Sequence, residues 1–163
     1  MSFLVLGGAP DVVDAVVTRL VADGDLVRVV ATDEGRTESL RKLGAFVATG
    51  DLSDADLVER AAQGARTAVI LDPGPVTAKL LDAMLAARIS RVIYAGRDRG
   101  AIQLIGSRPM DHVILRRSRN PLRRPSELAA IVTAVVAADD LAGTPRTTID
   151  LSNKNALEEL RGS

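Results

Sequence analysis

The chain has 163 residues, 21 basic and 21 acidic side chains, a single histidine (His112) and no cysteine. That excludes disulfides, thiolate metal centres and a zinc site built from histidines. With 47% apolar and 26% charged residues, no basic-start leader and no stretch near the roughly 20 apolar residues of a membrane helix, the composition predicts one soluble domain over 1–163, in the cytoplasm.

In chain order, the first strand is expected at Phe3–Leu6. A tight turn, G-G-A-P-D-V-V, leads into a helix whose Val12, Val13, Val16, Val17, Leu20 and Val21 share one face. Further short β-rich runs lie at Leu26–Ala31, Ala45–Ala48, Ala68–Leu71 and Arg91–Tyr94, with helical patterns between them. Gly24, Gly44 and Gly64 each close a helical segment, and their 20-residue spacing is the rhythm of βα units. Ser53, with Asp56 three residues on, is expected to open the helix after "GDL". Beyond the fifth strand, "AIQLIGSRPM" predicts a short helix, "DHVILRR" a sixth strand, and "PSELAAIVTAVVAADD" a helix with Pro125 near its start. "RTTIDLS" predicts a seventh strand and "NALEELRG" a short terminal helix, while "RRSRNPLRRP" is the linker-like stretch. Continuous apolar strands alternating with one-faced helices predict a doubly wound α/β fold: a mainly parallel sheet of six to seven strands, covered by helices on both faces.

The turn after the first strand carries the functional question. A dinucleotide turn uses three glycines: one for the bend, one for approach of the pyrophosphate, one for close helix packing. Spaced as G-x-x-G-x-x-G, those places fall on Gly7, Pro10 and Val13, with Gly8 adding freedom. Pro10 suits a first helical position but offers no N–H. Asp11 and Asp14 place carboxylates where a helix N-terminus would otherwise attract an anion.

"FLVLGGAPDVVDAVVTRLVADGDLVRVVATDE" and "GAFVATGDLSDADLVERAAQGARTAVIL", followed by "RVIYAG" and "MDHVILRRS", resemble the atypical short-chain dehydrogenase/reductases, the NmrA-like NAD(P)-binding group. The resemblance implies a Rossmann-like fold, with Gly7 and Gly8 at the phosphate turn and Asp51 and Leu52 at the adenine edge. Many members place an arginine at the end of the second strand for a 2′-phosphate; this chain has Thr32 and Asp33. A carboxylate there bonds ribose hydroxyls and repels a 2′-phosphate, so the expected cofactor is NAD(H) ahead of NADP(H), or none. Asp33 as a plain loop acid, and Asp51 as a plain turn residue, are the competing readings. The superfamily's common Tyr-x-x-x-Lys pair is missing. The one tyrosine, Tyr94, is followed four residues later by Asp98, and the lysines are Lys42, Lys79 and Lys154. No catalytic residue is assigned on that basis.

Residues 88–124 hold 10 arginines against Asp98 and Asp111. Arg116, Arg117 and Arg119, together with Arg97 and Arg99, are candidates for an anion-binding rim, with a solvated basic loop or a subunit contact as the alternative. Asp72 in "LDPGPVTAK" and His112 beside Asp111 are weaker catalytic candidates; a turn acid and a structural histidine are the simpler readings. Aromatics number three (Phe3, Phe46, Tyr94), too few for stacking on nucleic acid. In "PVTAKLLDAMLAARI", Leu81 and Met84 read as core or as a dimer contact, and the resemblance implies an apolar helix of the sort that pairs subunits, so a homodimer is expected. Functionally these features predict a cofactor-responsive regulator, or a non-catalytic module that dimerises or binds a protein or small anionic partner. An oxidoreductase or isomerase with a noncanonical site is the alternative. A further one is a nucleotide-binding regulatory domain similar to those of potassium channels and transporters, which "GDLSDADL" also resembles.

Overall fold

A computed structural model describes residues 2–137 and 146–151. It alternates β1 (Ser2–Gly7), α1 (Pro10–Ala22), β2 (Leu26–Ala31), α2 (Thr37–Lys42), β3 (Phe46–Thr49), α3 (Ala55–Ala62), β4 (Thr67–Leu71), α4 (Ala78–Ala86), β5 (Arg91–Gly96), α5 (Arg99–Gly106), β6 (Asp111–Arg116), α6 (Arg124–Val136) and β7 (Arg146–Asp150). The seven strands form one sheet in the order β3-β2-β1-β4-β5-β6-β7, every pairing parallel. Strand alternation supplies two cores. Phe3 and Val5 of β1 face α1, α2 and α6, while Leu4 and Leu6 face α3, α4 and α5. Both sides of the central strands are dry, which is why they read as unbroken apolar runs.

The expected strands are all present among the described residues, with the third shifted by one residue, and Gly24, Gly44 and Gly64 all have positive φ. Three expectations change. The cap of α3 is Asp54, whose carboxylate accepts from the Leu57 amide at 3.2 Å; Ser53 instead lies in a turn, its amide donating to Asp51. We expect Asp54→Ala to cost about 1 kcal/mol in chemical denaturation, and Ser53→Ala less than about 0.5 kcal/mol. The fifth helix begins before "AIQ", at Arg99, because Asp98 caps the amides of Gly100 and Ala101. "RRSRNPLRRP" is not a linker: it ends β6, makes a 3-10 turn at Pro121–Arg123 and opens α6. In α4, Leu80, Leu81, Ala83 and Met84 are buried within the chain's own core, the first of the two readings of that helix. The expected terminal helix lies outside the described residues. No helix among the described residues is long and apolar enough to cross a membrane.

Candidate nucleotide cleft and arginine site

The crossover direction reverses between β1 and β4, so their carboxyl ends flank the point where open α/β sheets bind ligands. The glycine turn sits there, and the loop after β4 packs directly on it. Gly7 (φ +69°) and Gly8 (φ +92°) are both left-handed. A Cβ on Gly7 would overlap the Leu71 carbonyl oxygen, and one on Gly8 would lie 2.8 Å from Leu71 Cβ and 2.9 Å from Val13 Cγ2. Val13 is thus packed against the turn where the motif's third glycine would stand. Donors are correspondingly few. The Gly8 amide donates to the Pro73 carbonyl at 2.9 Å, Pro10 has none, and the amides of Val12 and Val13 both go to the Ala9 carbonyl. Among the described residues this leaves the amides of Ala9 and Asp11 for an incoming anion.

Beside the turn, on the β2 side, lies a cavity of about 360 Å³, within the roughly 300–1,000 Å³ of small-molecule sites. It is lined by the glycine turn, by Val29 to Asp33 at the end of β2, and by Arg36, Leu40 and Leu52. The structure therefore brings Gly7, Gly8, Asp33 and Leu52 to one space. Asp33 Oδ1 accepts the Gly35 amide at 2.8 Å, which fixes the carboxylate at the mouth of β2. Asp51 stands outside the lining. Its carboxylate accepts from the Ser53 amide at 2.9 Å, and this hydrogen bond holds its pKa below the usual aspartate value. Arg36 is a lining residue the sequence reading passed over. Its guanidinium pairs with Asp14, so one of the two carboxylates of the first helical turns is neutralised. The signal available was "DEGR", an arginine three residues beyond Asp33.

No family model and no curated protein matches the chain. Among solved structures it is similar to an NADPH-dependent quinone oxidoreductase from Escherichia coli, at 12% identity and TM-score 0.71, over 89% of this chain and 66% of that one. It is similar to the triphenylmethane reductase of Citrobacter sp. complexed with NADP(H), at 13% identity and TM-score 0.70, over 90% and 68% of the two chains. An anaerobillin reductase from Escherichia coli O157:H7 matches at 17% identity and TM-score 0.64, over 91% of this chain and 96% of that one. The chain has their Rossmann-like fold. It spans about two thirds of the length of the first two proteins and nearly all of the third. Identity this low carries architecture and not activity.

Within this Rossmann-like cleft the other candidates fall in different places. Tyr94 is 2% exposed, and its hydroxyl oxygen accepts from the Asp98 amide at 3.4 Å. Burial pushes its pKa above the ordinary tyrosine value, so it is a core side chain and holds its proton. His112 is the second residue of β6, near the amino ends of the strands and away from the cleft.

Asp72 joins a second, smaller cavity of about 160 Å³ at the carboxyl ends of β4, β5 and β6, shared with Arg97, Arg117, Arg119, Arg124 and Glu127. Of the expected anion rim, Arg97, Arg117 and Arg119 meet here, whereas Arg116 and Arg99 do not line the space. Alternation along β6 separates neighbours: Arg116 ends the strand exposed, and the next residue turns inward. Arg117 is already engaged. Its Nε donates to Glu127 Oε2 at 3.4 Å and its Nη1 to the Asp72 carbonyl at 3.2 Å. Glu127, 2% exposed on α6, also accepts the Ser118 amide. Sequence reasoning missed it, although it is the sole acid between Asp111 and Asp139.

Proposed function

We propose that this chain binds an adenine dinucleotide chiefly through its adenosine half, NAD(H) ahead of NADP(H), and works as a cytoplasmic cofactor-responsive regulator. The cavity between the glycine turn and the end of β2 carries this reading, because it combines an apolar floor with a fixed carboxylate just past the end of β2. Leu52 and Val30 would flank the adenine ring, Asp33 would bond the ribose hydroxyls, and the amides of Ala9 and Asp11 would meet the pyrophosphate. A 2′-phosphate would face Asp33 and would have to take Arg36 from Asp14. A nicotinamide cofactor, when bound, supplies hydride chemistry. No Tyr-x-x-x-Lys pair stands ready to move a proton beside it, and this favours a regulatory role.

Calorimetric titration tests the reading. NADH is expected to bind about tenfold more tightly than NADPH, a difference of about 1.4 kcal/mol. Asp14→Ala, which frees the Arg36 guanidinium, is expected to narrow that gap. Failure of both dinucleotides to bind at millimolar concentration overturns the proposal and leaves a module that works through partners alone.

A second reading, a reductase with a noncanonical site, is favoured by the match to a protein described as a reductase over nearly its whole length. NADH oxidation with a panel of carbonyl and quinone acceptors separates the two. Turnover of any acceptor replaces the regulatory reading with this one.

A further inference from the structure

The cavity of about 160 Å³ beside Asp72 is smaller than the roughly 300–1,000 Å³ of drug-sized ligand sites, and its charge does not balance. Four arginines face two carboxylates there. Glu127 is spent inside the wall: buried on α6, it takes Arg117 and the Ser118 amide. That leaves Arg97, Arg119 and Arg124, all exposed, against Asp72 alone, and none of the three has an ion pair among the described residues.

The wall is built as well as charged. Ser118 Oγ accepts the Asn120 amide at 3.0 Å, and Asn120 Oδ1 accepts the Leu122 amide at 3.0 Å. With Glu127 behind them, these bonds shape the segment from β6 to α6 so that Arg119 and Arg124 reach one space. Arg97, just past the end of β5, lines the same space. The loop Pro73–Pro75 lines the nucleotide cavity while Asp72, one residue earlier, lines this one, so the β4 loop is the partition between them.

We propose that this cavity is a separate site for a small oxyanion, a carboxylate or phosphate carried by a compact molecule. Arg97, Arg119 and Arg124 would be its guanidinium donors, and Arg117 with Glu127 the support that holds the arginine loop in place. Planar guanidinium forks match the paired oxygens of such groups, and the excess of positive charge raises their local concentration. The site lies at the same carboxyl edge of the sheet as the nucleotide cavity, so its occupant would be the substrate or effector read alongside the cofactor.

The primary readout needs no nucleotide, so its failure is distinguishable from a failure of the cofactor reading. The full chain is titrated at constant ionic strength with inorganic phosphate and, separately, with succinate, while the arginine Nε–Hε resonances are followed by NMR. Saturable shifts are expected at Arg97, Arg119 and Arg124 with at least one probe, and the probe that binds names the oxyanion. The double variant Arg119→Ala with Arg124→Ala, both at exposed positions, should weaken that binding at least tenfold and leave NADH affinity unchanged. Non-saturating shifts spread over remote arginines such as Arg19 and Arg60 would overturn the proposal. So would an unchanged dissociation constant in the double variant. Competition between phosphate and NADH would also overturn it, by assigning these arginines to the phosphates of the dinucleotide.

Discussion

Gly7→Ala is expected to destabilise the protein by about 3 kcal/mol, with a fall in Tm on the order of 10 °C. Two costs add. A non-glycine residue at φ +69° carries roughly 1–2 kcal/mol of left-handed strain. The new methyl group also meets the Leu71 carbonyl oxygen, a backbone atom of a buried central strand that cannot swing aside. Gly24→Ala isolates the first cost, because Gly24 has φ +85° with nothing within 4 Å of its would-be Cβ. It should lose only about 1 kcal/mol. Urea denaturation of the two variants decides the matter: equal losses would show that the packing of the β4 loop on the turn is not what requires glycine at position 7. The comparison bears on function because it separates a glycine kept for packing from one kept for a ligand.

Glu127→Ala is expected to cost about 3–5 kcal/mol, the range for removing one partner of a buried ion pair. The side chain is 2% exposed, and its loss strands both the Arg117 guanidinium and the Ser118 amide. Glu127→Gln keeps an acceptor for Ser118 and should recover part of the loss, leaving the unneutralised Arg117 as the residual cost. Thermal unfolding measures both variants. A loss below about 1 kcal/mol for the alanine variant would mean that water or a neighbouring acid replaces Glu127, and that the arginine loop is not held from α6.

The repeated βα order was legible because it rests on local rules. Apolar runs of four to six residues, glycines at helix ends and one-faced helices state their geometry within a few residues. The caps were less so: Ser53 and Asp54 are both good cap residues, adjacent in sequence, and the backbone path after β3 chose between them. At the glycine turn, Pro10 and Val13 stand out in the sequence as departures from a three-glycine pattern. What replaced the glycines was invisible, because the Pro73 carbonyl that takes the Gly8 amide arrives from 65 residues away in the chain. Asp14 looked like a charge opposed to any phosphate, and only the fold brings Arg36 onto it.

The arginine-rich segment shows the division most clearly. Composition marked residues 116–124 as strongly basic, and the end of a sixth strand placed them at the carboxyl edge of the sheet. The same local reading took the segment for a linker and treated its arginines as one set. Strand alternation and a buried carboxylate on the following helix sort them: Arg116 outward, Arg117 into the wall, Arg119 and Arg124 toward the cavity. By itself, then, the sequence determined the layered α/β architecture and the chemistry available at its edge. The tertiary structure decided which donors are already spent and which charges are neutralised. Hydrogen bonds and ion pairs between distant segments depend on distances that no local pattern encodes.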